Sequence, residues 1–382
     1  MKLSKIIFLC SPSTGCIDTC APVIEKLAEE TGASVEIIIP KIELLGQLAL
    51  NPAFEKILCS WQGHMLVTSA GGILNINLDK LPDIVRDLKE NIFARAIQDR
   101  ASRFIVRFRR WLFQSLLKKY GGQKFVPDDT ARNDQVVVIG DLLELSKPYM
   151  AGFASHLRGA KFFSINHGID IDLRDDFPDA DVLFPKEDCL CLLFSALEVP
   201  YYKSRFSIED ENIAVVGIQK HDPAWQQRLQ SIMDGMAEGI GKKDVLLIGR
   251  PHGLSYLRRQ DKARYLSDIN DILIKKMGYR IVLKRHPKEN DLSIYRNAFG
   301  PEGASWIVSD SPLHAIAEET DFAVSFFSGA STDLIRIGTP VIEYNNITNE
   351  DISSDINLKR MPDGNLVLSY EYFGFVKSES VV

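Results

Sequence analysis

The sequence lacks the signatures of several common ligand chemistries. It carries no G-x-G-x-x-G turn, no Walker-type phosphate loop and no H-E-x-x-H pair, so dinucleotide, P-loop and zincin chemistry have no foothold. Histidine is scarce, at 7 of 382 residues, and none of the 6 cysteines pairs with histidine at zinc-finger spacing. No apolar run approaches the ~20 residues needed to span a bilayer. An excess of positive charge is missing too. The formal net charge is -6, which argues against a nucleic-acid partner, whose footprint is usually basic. Internal repeats and low-complexity tracts are also absent.

What remains is the composition of an ordinary globular protein, 45% hydrophobic and 25% charged, long enough for two domains. The opening Lys5–Cys10 run is short, and Ser11-Pro12-Ser13-Thr14-Gly15 then leads into an amphipathic segment. It therefore reads as a first β-strand rather than a signal peptide. Cys16 and Cys20 can face each other across one helical turn but read more simply as buried small hydrophobes, and the six cysteines suit a reduced, cytoplasmic protein. One segment departs from the acidic average. Between Phe93 and Tyr120 stand Arg95, Arg100, Arg103, Arg107, Arg109, Arg110, Lys118 and Lys119, interleaved with aromatic and aliphatic residues. That pattern suits an amphipathic helix on an anionic membrane surface, or equally a packed helix with a solvated basic face.

Apolar β-type runs alternate with helix-length segments, which predicts βαβ units and parallel sheets. Strands are expected near Lys5–Cys10, Ser34–Ile39, His64–Thr68, Gln135–Gly140, Lys161–Ile165, Asp181–Phe184 and Asn212–Gly217. A second series follows at Val245–Gly249, Tyr279–Lys284, Ser305–Val308, Phe322–Phe327 and Pro340–Tyr344. The expected fold class is α/β, with two Rossmann-like domains facing a cleft. The first covers 1–217 and the second 244–382, joined by a polar, glycine-containing linker over 218–243.

Ligands of such sheets collect at the carboxyl ends of the strands. In the second domain, Ile281-Val282-Leu283 breaks off into Lys284-Arg285-His286-Pro287. Two cations, a histidine able to donate to a phosphate oxygen and a proline that fixes the loop point to an anion site. The strand at Phe322 opens into Ser325, Ser328, Gly329, Ser331, Thr332 and Asp333 at the head of a helix. Backbone N–H groups, hydroxyls and the helix dipole favour phosphate there, alongside ordinary capping. Asp333 is a candidate for a ribose hydroxyl. Arg250, after Ile248-Gly249, is a third phosphate candidate, or equally a residue of a plain loop. In the first domain, Asn166-His167-Gly168 places a histidine at a strand end. His167 is a candidate general base or phosphate contact, or a histidine bonded within a tight turn. Asp141, after Val136–Gly140, is a second candidate base, an orienting group for His167, or a helix N-cap. The acid pairs Asp170 with Asp172 and Asp175 with Asp176 read as solvated loops, so metal-independent chemistry without a resident cofactor is expected.

Taken together, Asn166-His167-Gly168, Lys284-Arg285-His286-Pro287, and Ser325 to Thr332 followed by Ile337-Gly338-Thr339-Pro340-Val341-Ile342-Glu343 resemble the GT-B glycosyltransferases of bacterial surface polysaccharide synthesis. The likeness is to enzymes with a histidine-proline motif, the Kdo and sialic acid transferases and the CDP-glycerol glycerophosphotransferases. It implies a CMP- or CDP-linked donor whose phosphate meets His286, Ser328 and Ser331, with Lys284 assisting and His167 on the acceptor side. The acceptor implied is a glycan or lipid-linked glycan of capsule or lipopolysaccharide type, reached at the inner face of the membrane with 93–120 as the contact. Two other readings share the architecture: a nucleotide-sugar epimerase, which needs no acceptor, and a non-catalytic scaffold. Fold alone does not separate the three.

Overall fold

The structure, a computed structural model, describes residues 3–10, 14–39, 45, 51–69, 72–90, 135–141, 159–165, 189–237, 239–252, 257–286, 289, 291–326, 328–344, 358–360 and 366–368. The chain divides into two compact units, Met1–Asp170 with Asp175–Gln226 and Ile171–Arg174 with Gln227–Val382, and the main boundary falls within the helix Pro223–Met233. That helix lies inside the expected linker, and Asp222 caps it by accepting from the N–H groups of Ala224 at 2.9 Å and Trp225 at 3.1 Å.

The first unit is built on an eight-stranded sheet: β1 Lys5–Leu9, β2 Ser34–Ile39, β3 Gly63–Ser69, β4 Gly72–Asn77, β5 Val136–Gly140, β6 Lys161–Ile165, β7 Cys189–Leu193 and β8 Ile213–Val215. Their spatial order is β4-β3-β2-β1-β5-β6-β7-β8. All neighbours run parallel except β3 and β4, an antiparallel hairpin-like edge that sequence pattern alone does not announce. The central strands are apolar along their whole length because helices cover both faces: every residue of β5 is buried. Alternation sends Ile7, Leu9, Val136 and Val138 to one face, where they pack with Phe162, Cys189, Cys191, Tyr202 and Phe206. Gly63 opens β3 at φ 153°, and a Cβ there would meet the Val35 carbonyl oxygen at 1.7 Å, so only glycine admits this pairing.

The helix Thr14–Thr31 crosses from β1 to β2 and buries Cys16 and Cys20, whose thiols hydrogen-bond across one turn. All six cysteines are free thiols. That bond and burial push the Cys20 pKa well up, which suits the packing role expected for Cys16 and Cys20.

The second unit holds a five-stranded, all-parallel sheet: β9 Asp244–Ile248, β10 Arg280–Lys284, β11 Trp306–Ser309, β12 Phe322–Ser325 and β13 Val341–Glu343, in the order β11-β10-β9-β12-β13. Residues alternate strictly between two cores. Val245, Leu247, Ile281, Leu283 and Val324 pack against the helices Arg259–Ile269 and Ser293–Phe299 through Tyr265, Leu266, Ile294, Tyr295 and Phe299. Leu246, Ile248, Val282 and Ala323 face the helices Leu313–Glu319 and Ala330–Ile337 through Ile316, Ala317 and Leu334. At the amino edge of this sheet Arg280 grips Asp244 bidentately, Nε to Oδ1 at 2.8 Å and Nη2 to Oδ2 at 2.6 Å. A short antiparallel pair, β14 Leu358–Arg360 with β15 Leu366–Leu368, follows in the chain.

The strands at Ser34–Ile39 and Lys161–Ile165 match the expected bounds, and the others that fall on described residues differ by one or two residues at their ends. The strand expected at Asp181–Phe184 lies outside the described residues, as does the basic segment 93–120. No helix among the described residues is long and apolar enough to cross a membrane.

Candidate functional site

In each sheet the strand order turns outward from one pair of strands, and in open α/β sheets the carboxyl edge at such a pair is the usual place for a ligand. In the second unit the pair is β9 and β12. Register puts Lys284 opposite Ile248, and the β9–β12 pairing of Val324 with Leu247 carries Ser325 to the same level. Gly249-Arg250, Arg285-His286 and the Ser328–Asp333 turn therefore leave the sheet side by side. The structure brings the described candidates of this unit to one edge: Arg250, Lys284, His286, Ser325, Ser328, Gly329, Ser331, Thr332 and Asp333. Pro287 lies outside the described residues.

The first turn of the helix Ala330–Ile337 is closed largely on itself. Ser328 Oγ accepts from the Ala330 N–H at 3.3 Å, and the Ser328 carbonyl accepts from the Ser331 N–H at 2.9 Å. Thr332 Oγ1 donates to the Gly329 carbonyl at 2.7 Å, and the Ser331 hydroxyl donates to the Glu343 carboxylate. The N-cap position itself is Gly329, which has no side-chain cap bond; only Ser328 takes a first-turn N–H, Ser331 and Thr332 donate elsewhere, and the helix dipole points its positive end at the sheet edge. Ser325 differs from them. Its hydroxyl is buried at the very end of β12, next to this turn, and finds no hydrogen-bond partner among the described residues. A buried hydroxyl without a partner is costly, which sets Ser325 apart from the hydroxyls of the turn.

Cations stand at the end of β10, which β9 separates from Ser325 on β12. Lys284 Nζ donates to the carbonyl oxygens of Asp310 at 3.2 Å and Ser311 at 2.5 Å, which ties the end of β10 to the loop after β11. Burial of the ammonium, only partly offset by the Asp310 charge, pulls its pKa down to about 8. Arg285 lies 3.6 Å from Asp310. His286 is half-buried on the following residue.

Beneath these loops sits a group that sequence reasoning passes over. Lys262, fully buried on the helix Arg259–Ile269, pairs with Glu289, itself 5% exposed, and donates to the Arg250 carbonyl at 2.6 Å. The Tyr295 hydroxyl lies 3.0 Å from each oxygen of Glu289. The one sequence signal is that Lys262 occupies the apolar stripe of its helix, in line with Tyr265, Leu266 and Ile269, where a lysine is out of place.

In the first unit the outward turn lies between β1 and β5, paired Leu9 to Gly140. Asp141 follows β5 directly and is fully buried at that point. His167, the other candidate of this unit, lies outside the described residues, so no distance relates the two. Among the described residues, no group of three or more His, Cys, Asp or Glu side chains is arranged to hold a metal ion.

No protein-family model matches the sequence, and no curated protein matches it at the sequence level. Solved structures do. The MnaA–UDP co-structure of S. aureus superposes with a TM-score of 0.50 at 15% identity, covering 91% of this chain and 80% of that one. The UDP-GlcNAc 2-epimerase of Neisseria meningitidis bound to UDP-GlcNAc superposes with a TM-score of 0.51 at 12% identity, covering 92% and 85%. At such identities the likeness is one of fold. The chain has the GT-B architecture of two Rossmann-like domains, as its strand patterning predicts.

Proposed function

We propose that this chain is an enzyme of nucleotide-activated sugars, holding the donor phosphates at the carboxyl edge of the second sheet and transferring the sugar to a hydroxyl acceptor. One observation supports this reading: three strand ends in register bring Arg250, Lys284 with His286, and the unpartnered Ser325 hydroxyl to the same edge of the sheet. Fixed donors and cations are what the transfer requires. As the acceptor oxygen bonds to the activated carbon, the bond from that carbon to the phosphate oxygen breaks, and negative charge grows on the phosphate. The acceptor proton leaves to a base, for which Asp141 and His167 are the candidates. The residues around His286 support a cytidine-linked donor through their resemblance to Kdo and sialic acid transferases. A glycan or lipid-linked acceptor at the membrane, met through 93–120, belongs to the same reading and rests on sequence.

A second reading, epimerisation of a nucleotide sugar without an acceptor, is favoured by one finding. Both reported structural neighbours carry uridine ligands, and one is a UDP-GlcNAc 2-epimerase. The test is calorimetric titration of the purified chain with CMP, CDP, UDP and GDP, repeated with His286→Ala. Binding that weakens about tenfold or more in the variant supports the phosphate site, since a charge-assisted hydrogen bond is worth about that much. Equal affinity in the variant would remove His286 from the site. The donor with the preferred base is then incubated alone. Conversion of the sugar without acceptor selects epimerisation, and an inert donor that is consumed when glycan is added selects transfer. Absence of nucleotide binding would leave the scaffold.

A further inference from the structure

The loop ends that carry the candidate anion ligands are held by their backbones, and the holder is a buried ionic group. Glu289 takes both backbone groups of His286: its own N–H donates to the His286 carbonyl at 2.8 Å, and its carboxylate accepts from the His286 N–H. Lys262 and Tyr295 do the same for Arg250. The ammonium donates to the Arg250 carbonyl at 2.6 Å, and the Tyr295 hydroxyl takes a hydrogen bond from the Arg250 N–H. The three side chains are bound to one another, Lys262 to Glu289 and Glu289 to Tyr295, with the Lys262 ammonium 4.4 Å from the centre of the Tyr295 ring. One closed network thus fixes the main chain at the ends of two neighbouring strands.

A buried ion pair is a poor means of adding stability, because the desolvation of both charges offsets most of their attraction. The imbalance is visible here: burial lowers the pKa of Lys262 and raises that of Glu289, while their mutual attraction opposes both shifts. What such a pair supplies that leucine or phenylalanine cannot is directional hydrogen bonding to particular backbone atoms. Gly249 reinforces the point, since its lack of a side chain is what lets the Glu289 carboxylate come up against β9.

We infer that Lys262, Glu289 and Tyr295 are positioning residues that hold the backbones of Arg250 and His286 in the geometry required to bind the phosphates of a nucleotide ligand. The inference rests on the phosphate reading for its purpose, and on the network alone for its geometry. A static backbone at these two loop ends would spare a bound phosphate the ordering cost of its ligands.

The experiment compares the full wild-type chain with Tyr295→Phe and with the paired variant Lys262→Met/Glu289→Gln, which leaves no buried charge unpaired. Three quantities are read: thermal midpoint, hydrogen exchange of the peptides containing Gly249–His252 and Arg285–Glu289, and affinity for UDP and CDP by calorimetry. The expected result is exchange at both loop peptides faster by tenfold or more, nucleotide affinity down by tenfold or more, and unchanged exchange in β12 and the helix Ala330–Ile337. A paired variant with wild-type exchange at both loops and wild-type affinity would overturn the inference. Loosening spread evenly over the whole unit would also overturn it, by making the network a general stabiliser. Wild-type protein that binds neither nucleotide would sink the phosphate reading instead, and the exchange data would still decide whether the network holds the loops.

Discussion

Gly249 lies against the carboxylate of Glu289 with no room for a side chain between them. A Cβ at position 249 would stand 2.6 Å from Glu289 Oε2, 3.1 Å from the backbone nitrogen of His286 and 3.1 Å from the carbonyl oxygen of Lys284. Two of those three atoms are backbone: the Lys284 carbonyl accepts from the Gly249 N–H at 2.8 Å, and the His286 N–H is held by the Glu289 carboxylate. The third belongs to a carboxylate fixed by Lys262 and Tyr295. None can retreat cheaply. Gly249→Ala is expected to cost about 1–3 kcal/mol of stability in urea unfolding, the usual range for forced overpacking. An unchanged midpoint would show that the loop after β10 yields, and would remove the tight packing from the account of the site.

A second expectation concerns pH. The Lys284 pKa is lowered by burial from the ordinary lysine value to about 8. Between pH 8 and the unfolded value near 10.5, the unfolded chain keeps the proton that the folded chain has released. Stability therefore rises with pH across that window, and below pH 8 the charged ammonium carries its full desolvation cost. Because the group is only part-buried, solvent screening cuts the effect to about 1–2 kcal/mol. The measurement is the difference in unfolding free energy between wild type and Lys284→Met at pH 7, 8, 9 and 10. Other titrating groups are common to both proteins and cancel. A difference that stays flat would show that the carbonyls of Asp310 and Ser311 hold the ammonium charged.

The opposite edge of the same sheet provides a control. Arg280 and Asp244 form two charge-assisted hydrogen bonds where β9 and β10 begin, and Asp244 is 3% exposed. Arg280 also donates to the Gly239 carbonyl at 2.6 Å, and the bond to Asp244 raises its pKa. Arg280→Ala leaves that buried carboxylate without its main partner and is expected to lose about 2–4 kcal/mol. Nucleotide affinity should stay within about twofold, because the change lies at the far end of the strands from the loop ends that carry the ligands. Loss of affinity equal to that of His286→Ala would mean that binding simply tracks the stability of the unit.

How much of this was legible in the sequence varies by physical cause. Strands buried on both faces read as unbroken apolar runs, so Ile281-Val282-Leu283 and Val136–Gly140 announce themselves. The edge strand β4 does not: Gly-Ile-Leu-Asn-Ile-Asn starts on glycine and interposes asparagine, and only its pairing with β3 makes it a strand. The strand β7 is also missing from the expected series: Cys189–Leu193 is a five-residue run without β-branched residues, and its place between β6 and β8 is what makes it a strand. At the candidate site the loop-end residues were legible from where apolar runs stop. The network beneath them was not. A glutamate three residues past His286 reads as a solvated loop, and its burial depends on a lysine 27 residues earlier in the chain. Such a pairing is a product of tertiary packing, and local pattern carries no trace of it beyond one lysine on an apolar stripe.

The first unit yields the prediction that bears most directly on chemistry. Asp141 stands at the end of β5, fully buried, at the point where the order of the sheet turns outward from β1 and β5. Carboxylates are rarely buried without a task, and the carboxyl edge at such a turn is where this class of sheet receives its ligand. Asp141→Asn keeps the volume and removes the ability to accept a proton. If Asp141 is the base for an attacking hydroxyl, kcat falls by about 10²–10⁴-fold, the typical contribution of general base catalysis. Affinity for the nucleotide alone should change by less than about threefold, because the proposed phosphate ligands belong to the other unit. Steady-state turnover of the preferred donor, beside calorimetry of the free nucleotide, separates the two effects. A variant with full turnover would pass the role to His167, and one that loses nucleotide affinity as well would make Asp141 a structural support.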